Sequence, residues 1–170
     1  MANYNIKRPF SQKGVSQIIR KLESMQNNVD KLELEFIQRS LDYIEKRAKY
    51  YIRNTTGSAE WYQLTRTLEN SFIKDYSLGK LINNCWYSAL VEFGTGVKGK
   101  GTHPNPQGYE YDVNEHEEYG WYFYAEGDFH FTTGMPAHKF MYDAIQDYVN
   151  GEYKKIFEKS FKTIMGGILK

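Results

Sequence analysis

The chain of 170 residues has a single cysteine, Cys85. That excludes a disulfide framework and any zinc module built on cysteine thiolates, and it points to a reducing compartment. No apolar run approaches the roughly 18 residues of a membrane span, so no membrane partner is expected. Met1-Ala2-Asn3-Tyr4-Asn5 carries no apolar core, and no secretory leader is expected there. Net charge is nearly lacking as well, at +1, which argues against a binder of bulk polyanion and against tight nucleic-acid binding. The most local absence is of basic residues: Gly101 to His138 holds no Lys or Arg. The same stretch holds seven acids, Glu110, Asp112, Glu115, Glu117, Glu118, Glu126 and Asp128, so −7 sits in one segment and +8 in the remainder.

What is present is aromatic. Fifteen Tyr, ten Phe and three Trp are too many for a disordered chain. A chain of this length is expected to form a single domain over 1–170, burying roughly 70% of the surface its unfolded form exposes. An acidic aromatic loop or hairpin is expected as an insertion at about 97–133. The charge split is a statement about partners: either the acidic segment is a solvated loop, or it meets a basic helical face such as that of another copy. Glu115, Glu117 and Glu118 are the candidate contacts for that acidic interface.

The apolar spacing gives an order of elements. Val15, Ile18, Ile19, Leu22 and Met25 step by three and four as on a helix face, with Ser11 as N-cap and Gln26-Asn27-Asn28 as a break or bend. Leu34, Ile37, Leu41, Ile44, Ala48 and Ile52 form a second helical stripe, closed near Gly57. Leu68 to Asp75 and Leu81 to Tyr87 read as strands around a turn at Asp75-Tyr76-Ser77-Leu78-Gly79-Lys80. Residues 87–93 fit a strand or a helical turn, and Gly94 to Gly108 reads as loop. Trp121-Tyr122-Phe123-Tyr124 and Asp128-Phe129-His130-Phe131-Thr132 read as paired strands. A closing helix follows, with Pro136 near its first turn, Gly151 as a kink and Gly166-Gly167 as its end. Its apolar face is expected from Met141, Ile145, Tyr148, Val149, Ile156, Phe157, Phe161 and Ile164. The class is α+β: long N-terminal helices, a small antiparallel sheet and a closing C-terminal helix, with one sheet face free for partners.

Chemistry-bearing motifs are weak. Gly94-Thr95-Gly96-Val97-Lys98-Gly99 fits a dinucleotide pattern and Gly94 to Lys100 a phosphate-loop pattern. Both need a helix next, and Gly101-Thr102-His103-Pro104-Asn105-Pro106 does not supply one. Of four His (103, 116, 130, 138), only His116 in Asn114-Glu115-His116-Glu117-Glu118 has ligand-like neighbours, and a solvated acidic loop fixes ligands poorly. Cys85 lies in an apolar run and reads as a buried small hydrophobe. No acid–base couple is nominated. No catalytic residue, metal or cofactor is therefore expected, and the chain is expected not to be an enzyme.

Tyr87 and Ala89, then Val91-Glu92-Phe93-Gly94-Thr95-Gly96, resemble the central signature of the minor tail components of long-tailed bacteriophages and prophages, also described as head–tail connector or tail-completion proteins. Upstream, Thr65-Arg66-Thr67-Leu68-Glu69-Asn70-Ser71 matches the family's T-G-x-L-x-x-S except at Arg66. Downstream, Gly134-Met135-Pro136-Ala137-His138-Lys139-Phe140 keeps the G-M-P-A and Phe of G-M-P-A-R-P-F but has His-Lys for Arg-Pro, and Ala144 also fits. The resemblance implies a structural subunit of the virion that forms a ring with itself at the head–tail junction or tail end. Its neighbours would be connector, tail-terminator or tail-tube proteins, and it would assemble in the cytoplasm of a host bacterium. Glu92, Phe93, Gly94, Thr95, Gly96, Gly134, Met135, Pro136, Ala137 and Phe140 are the motif residues so implicated. Independently, Glu92 between two apolar residues needs a partner, either backbone N–H groups of the glycine turn or a neighbour's Lys or Arg. A motif that merely holds the fold is the alternative reading of these residues, and a small nucleic-acid- or nucleotide-binding module is the alternative function.

Overall fold

The computed structural model describes residues 12–54, 66–106, 109, 120–125 and 127–166. Helix α1 runs unbroken from Gln12 to Asn54. The expected break at Gln26-Asn27-Asn28 is absent. Asn costs a helix only about 0.5–0.7 kcal/mol relative to Ala, and without Gly or Pro the hydrogen-bond ladder runs on. Asn54 ends it by donating its side-chain amide to the Tyr50 carbonyl at 2.8 Å. Ser11, Gly57, Thr65, Gly167 and the acids Glu110 to Glu118 and Glu126 lie outside the described residues.

The expected strand at 68–75 is half helix. Thr67–Asn70 forms a single turn, α2, and only Phe72–Asp75 is strand, β1. Glu69 is buried and pairs with Arg53 near the end of α1, which winds this turn against the long helix. Strand β2, Lys80–Asn83, pairs with β1 in register Phe72↔Asn83 to Asp75↔Lys80. It stops short of Tyr87 because the Asn83 side-chain oxygen accepts the Cys85 N–H at 3.0 Å and turns the chain. The β1–β2 turn follows the sequence reading: the Asp75 carboxylate accepts the N–H groups of Ser77 and Leu78, each at 3.0 Å, and Gly79 takes φ +60°. Residues 87–93 resolve as helix α3, Ser88–Phe93, followed by a four-residue turn, α4, Gly96–Gly99, inside the expected loop. Strands β3, Trp121–Ala125, and β4, Asp128–Thr132, form the expected hairpin. The architecture is α+β, but the described strands make two separate hairpins and not one sheet.

Helix α5 begins at Phe140 and ends at Asp147, later than Pro136 promised, since Met135, His138 and Lys139 are hydrogen-bonded to the backbone of 91–95 and Lys139 takes a left-handed conformation (φ +54°). A π-helical stretch, Tyr148–Glu152, joins it to α6, Tyr153–Met165, and Gly151 (φ +139°) supplies the kink. The buried face is the expected one only in part. Ile156 is buried and Met141 packs against the core as expected, and Phe140, Ala144 and Ser160 are buried with them, whereas Ile145, Val149 and Phe157 stay about half exposed.

The C-terminal half of α1 packs against α5 and α6. Ala48 and Ala144 are fully buried in one cluster with Ile52, Leu68, Cys85 and Phe140, so small side chains let the helices approach closely. Cys85 is thus a core residue, as expected. Phe36 meets Phe157 edge-on at 5.7 Å, Ser40 Oγ bonds Tyr148 Oη at 2.9 Å, and Arg47 pairs with Asp147 at 2.5 Å beside the Tyr51 hydroxyl.

The Arg53 guanidinium hydrogen-bonds Glu69 and holds its carboxyl below the ordinary carboxylate range. A depressed folded-state pKa adds stability above the unfolded value of about 4.3, and that stability is lost as pH falls through the folded value. Glu69→Gln is therefore expected to flatten the acid limb of a urea-unfolding pH series while lowering stability near neutrality. An unchanged acid limb would show that the pair contributes nothing.

Candidate functional site

The motif residues separated by some forty positions in sequence form one clasp. Thr95 N–H donates to the Met135 carbonyl at 2.9 Å, and Met135 N–H donates back to Thr95 O at 3.1 Å, an isolated antiparallel bridge. Lys98 N–H reaches Thr133 O at 3.3 Å, while His138 N–H and Lys139 N–H donate to the carbonyls of Val91 (2.9 Å) and Glu92 (3.1 Å). The backbones lie so close that a side chain does not fit between them. A Cβ on Gly134 (φ +99°) would stand 1.8 Å from Thr95 O, and one on Gly94 (φ +82°) 2.7 Å from Ala137 N. These glycines are required by approach as well as by backbone angle.

Glu92 sits at the centre and is 7% exposed. Its Oε2 accepts the Met141 N–H at 2.8 Å, and Oε1 accepts the Tyr142 N–H at 2.9 Å. These are two of the unpaired donors at the start of α5, so Glu92 caps a helix some fifty residues away, at the end where the helix dipole favours a negative charge. The sequence placed its partner in the glycine turn or on a neighbouring subunit. The partner is instead the first turn of α5, whose donors all need an acceptor. His103 Nε2 lies 3.2 Å from Oε1, and its Nδ1 accepts the Asn105 N–H at 3.1 Å. With Nδ1 as acceptor, the proton is on Nε2 and is donated to Glu92. His103 packs against Phe93 at 4.5 Å, and Tyr109 stacks on Phe93 at 4.5 Å and 17°. Thr102 Oγ1 accepts the Ala137 N–H at 2.8 Å and donates to Gly99 O at 2.7 Å.

Every described motif residue is thus placed. Phe93, Gly94, Thr95, Gly96, Gly134, Met135 and Ala137 make or border the clasp, Pro136 is exposed on its rim, and Phe140 (1% exposed) anchors α5 against Phe72. Glu115, Glu117, Glu118 and His116 lie outside the described residues. Sequence reasoning missed His103 and Thr102 as members. Their partners are eleven and thirty-five positions away, and Asn105 two residues on was the one local signal for His103.

The arrangement joins a Glu to a His. Both side chains are buried and their described acceptors and donors are turned on each other and on backbone. In the glycine loop the N–H groups of Gly94, Thr95, Lys98, Gly99 and Lys100 donate to carbonyls of the chain, so these five are not turned toward a phosphate. Among the described residues no group of three metal-ligating side chains converges, and no helix is long and apolar enough to cross a membrane.

The exposed feature beside the clasp is the β3–β4 hairpin, whose strand β4 leads directly into Thr133-Gly134. Side chains alternate along paired strands, so one face collects Tyr122, Tyr124, Phe129 and Phe131. They pair across the strands at ring distances of 5.1 Å (Tyr122–Phe131) and 5.2 Å (Tyr124–Phe129), and each is 54–68% exposed. The opposite face, with Trp121, Phe123, Ala125, His130 and Thr132, is half-buried. The single sheet expected to carry a free face is not formed, and the exposed aromatic face belongs to this hairpin alone.

No known family model, curated protein or solved structure matches the chain.

Proposed function

We propose that the chain is a non-enzymatic structural subunit of a bacteriophage virion, acting in a ring at the head–tail junction or tail end. The observation that carries the reading is the four-ring aromatic face of the β3–β4 hairpin, fixed to the body by the glycine clasp. Four adjacent exposed rings form a patch of the kind that marks protein contacts, since tyrosine and phenylalanine bury large area at low entropic cost. The clasp supports the reading in a second way. Two of the three stretches that resemble the tail-component family, 91–96 and 134–140, are packed around one junction in this chain, and Leu68 of the third shares the buried cluster with Phe140.

A ring needs a heterologous contact, one surface meeting a different surface of the next copy. The aromatic face is one half of it. The acidic segment 101–138 contains the same hairpin, and Lys155, Lys159 and Lys162 along α6 offer an exposed basic ridge to meet it. Complementary charge would set register and encounter rate, with the rings supplying affinity. Virion imaging with an altered hairpin face tests the reading, and its outcomes close the Discussion.

A further inference from the structure

From Val15 to Asn27 every residue of α1 is exposed, and the helix meets α5 and α6 only in its later half. Residues 12–33 thus form an arm of about 33 Å at 1.5 Å rise per residue. A helix so exposed would be expected to be polar all round, and this one is not. Val15, Ile18, Leu22, Met25, Val29 and Leu32 step 3, 4, 3, 4, 3, an unbroken heptad seam. Val15, Ile18, Leu22, Met25 and Val29 are 43–60% exposed. The 3.5-residue period is that of a helix paired with another helix. It ends where the chain begins to pack on itself: Phe36, the next seam position, turns to Phe157, and the stripe shifts to Leu41, Ala48 and Ile52.

Charge along the arm selects the partner. Residues 12–22 carry Lys13, Arg20 and Lys21 and no acid. Residues 23–33 carry Glu23, Asp30 and Glu33 against Lys31 alone. The arm is therefore +3 at one end and −2 at the other. A second copy laid antiparallel sets each basic half on an acidic half, whereas a parallel copy sets like on like. The antiparallel register also closes the seam, bringing Val15 to Leu32, Ile18 to Val29 and Leu22 to Met25 of the second copy, each an a position against a d position.

We propose that the α1 arm is a two-fold interface, in which residues 15–32 of two copies pair as an antiparallel coiled coil. Such a contact is isologous and separate from the heterologous contact a ring requires. It stands or falls independently of the head–tail reading. Two copies joined through their arms would present two bodies at opposite ends of one short rod.

The test is analytical ultracentrifugation of the full chain over a concentration series. Wild type is expected to reach twice 20.0 kDa. Leu22→Asp with Met25→Asp is expected to raise the dimer Kd about 100-fold or more, with the near-ultraviolet spectrum of the body unchanged, because both residues lie on the central layer. Tyr124→Ser with Phe129→Ser is expected to leave that dimer intact, which separates this contact from the hairpin. Oxidation of a mixture of Val15→Cys and Leu32→Cys chains is expected to give the cross-linked heterodimer. A monomer at every concentration, a dimer indifferent to the two aspartates, or Val15→Cys chains that cross-link chiefly to themselves would each overturn the proposal.

Discussion

Gly134→Ala is expected to cost about 4–5 kcal/mol, the largest loss from any single methyl group in the described structure. Two costs add. At φ +99° an alanine is strained by roughly 1–2 kcal/mol. The new Cβ would also stand 1.8 Å from the Thr95 carbonyl oxygen, and backbone cannot yield as a flexible side chain does. Relief requires parting Thr95 from Met135, which forfeits both bonds of the bridge and the Lys98–Thr133 bond beside it. Since domains are stable by only about 5–15 kcal/mol, the variant is expected to unfold at low urea and to melt some 10–20 °C below wild type. Gly79→Ala is the control. Gly79 has φ +60° with no atom near its missing Cβ, so about 1 kcal/mol is expected. Equal losses in the two variants would show that strain alone, and not close approach, explains the clasp.

Glu92→Ala is expected to cost about 3–5 kcal/mol by urea unfolding. The substitution leaves the N–H groups of Met141 and Tyr142 and the Nε2–H of the buried His103 without their acceptor. Glu92→Gln is expected to cost roughly half as much. Its amide oxygen still accepts, but its NH₂ points donor at donor, and the negative charge at the start of α5 is lost. Replacing His103 as well is expected to add less in the Glu92→Ala background than alone, because the two share one bond. Full additivity between them would contradict the geometry.

These two positions also show what a sequence can and cannot disclose. The glycine turn was legible at Gly94 and Gly96 because positive φ leaves a chemical trace, the loss of a side chain. The hairpin was legible because apolar alternation and Gly127 mark strands and turn locally. Glu92 was legible only as a problem, a charge among apolar neighbours. Its solution lies forty-nine and fifty positions on, and no local pattern encodes which donors a carboxylate will meet. Residues 68–71 were read as one strand with the apolar Phe72 and Ile73 that follow, whereas the ion pair of Glu69 with Arg53 holds them as a turn against α1. On the closing helices the buried Ser160 was missed because its residue type carries no apolar signal, while the buried Ile156 was legible. At Gln26-Asn27-Asn28 two weak helix formers stood for a break, but propensity in tenths of a kcal/mol does not stop a long helix.

The clasp and the hairpin divide the labour of the chain. Buried motif residues fix one strand pair and the start of α5, and the rings they display are left for a partner. The measurement that bears most directly on the proposed role is electron microscopy of particles made by the genome that encodes the chain, with the hairpin face altered by Tyr124→Glu and Phe129→Glu. Both positions are exposed, so the fold should tolerate the charges, and far-ultraviolet spectra of the purified variant check that it does. The expected result is filled heads beside unattached tails, or tails of abnormal length, where the unaltered gene yields joined particles. Joined, normal particles from the altered gene would contradict the role assigned to this face, and a chain absent from purified wild-type particles would contradict the virion reading itself.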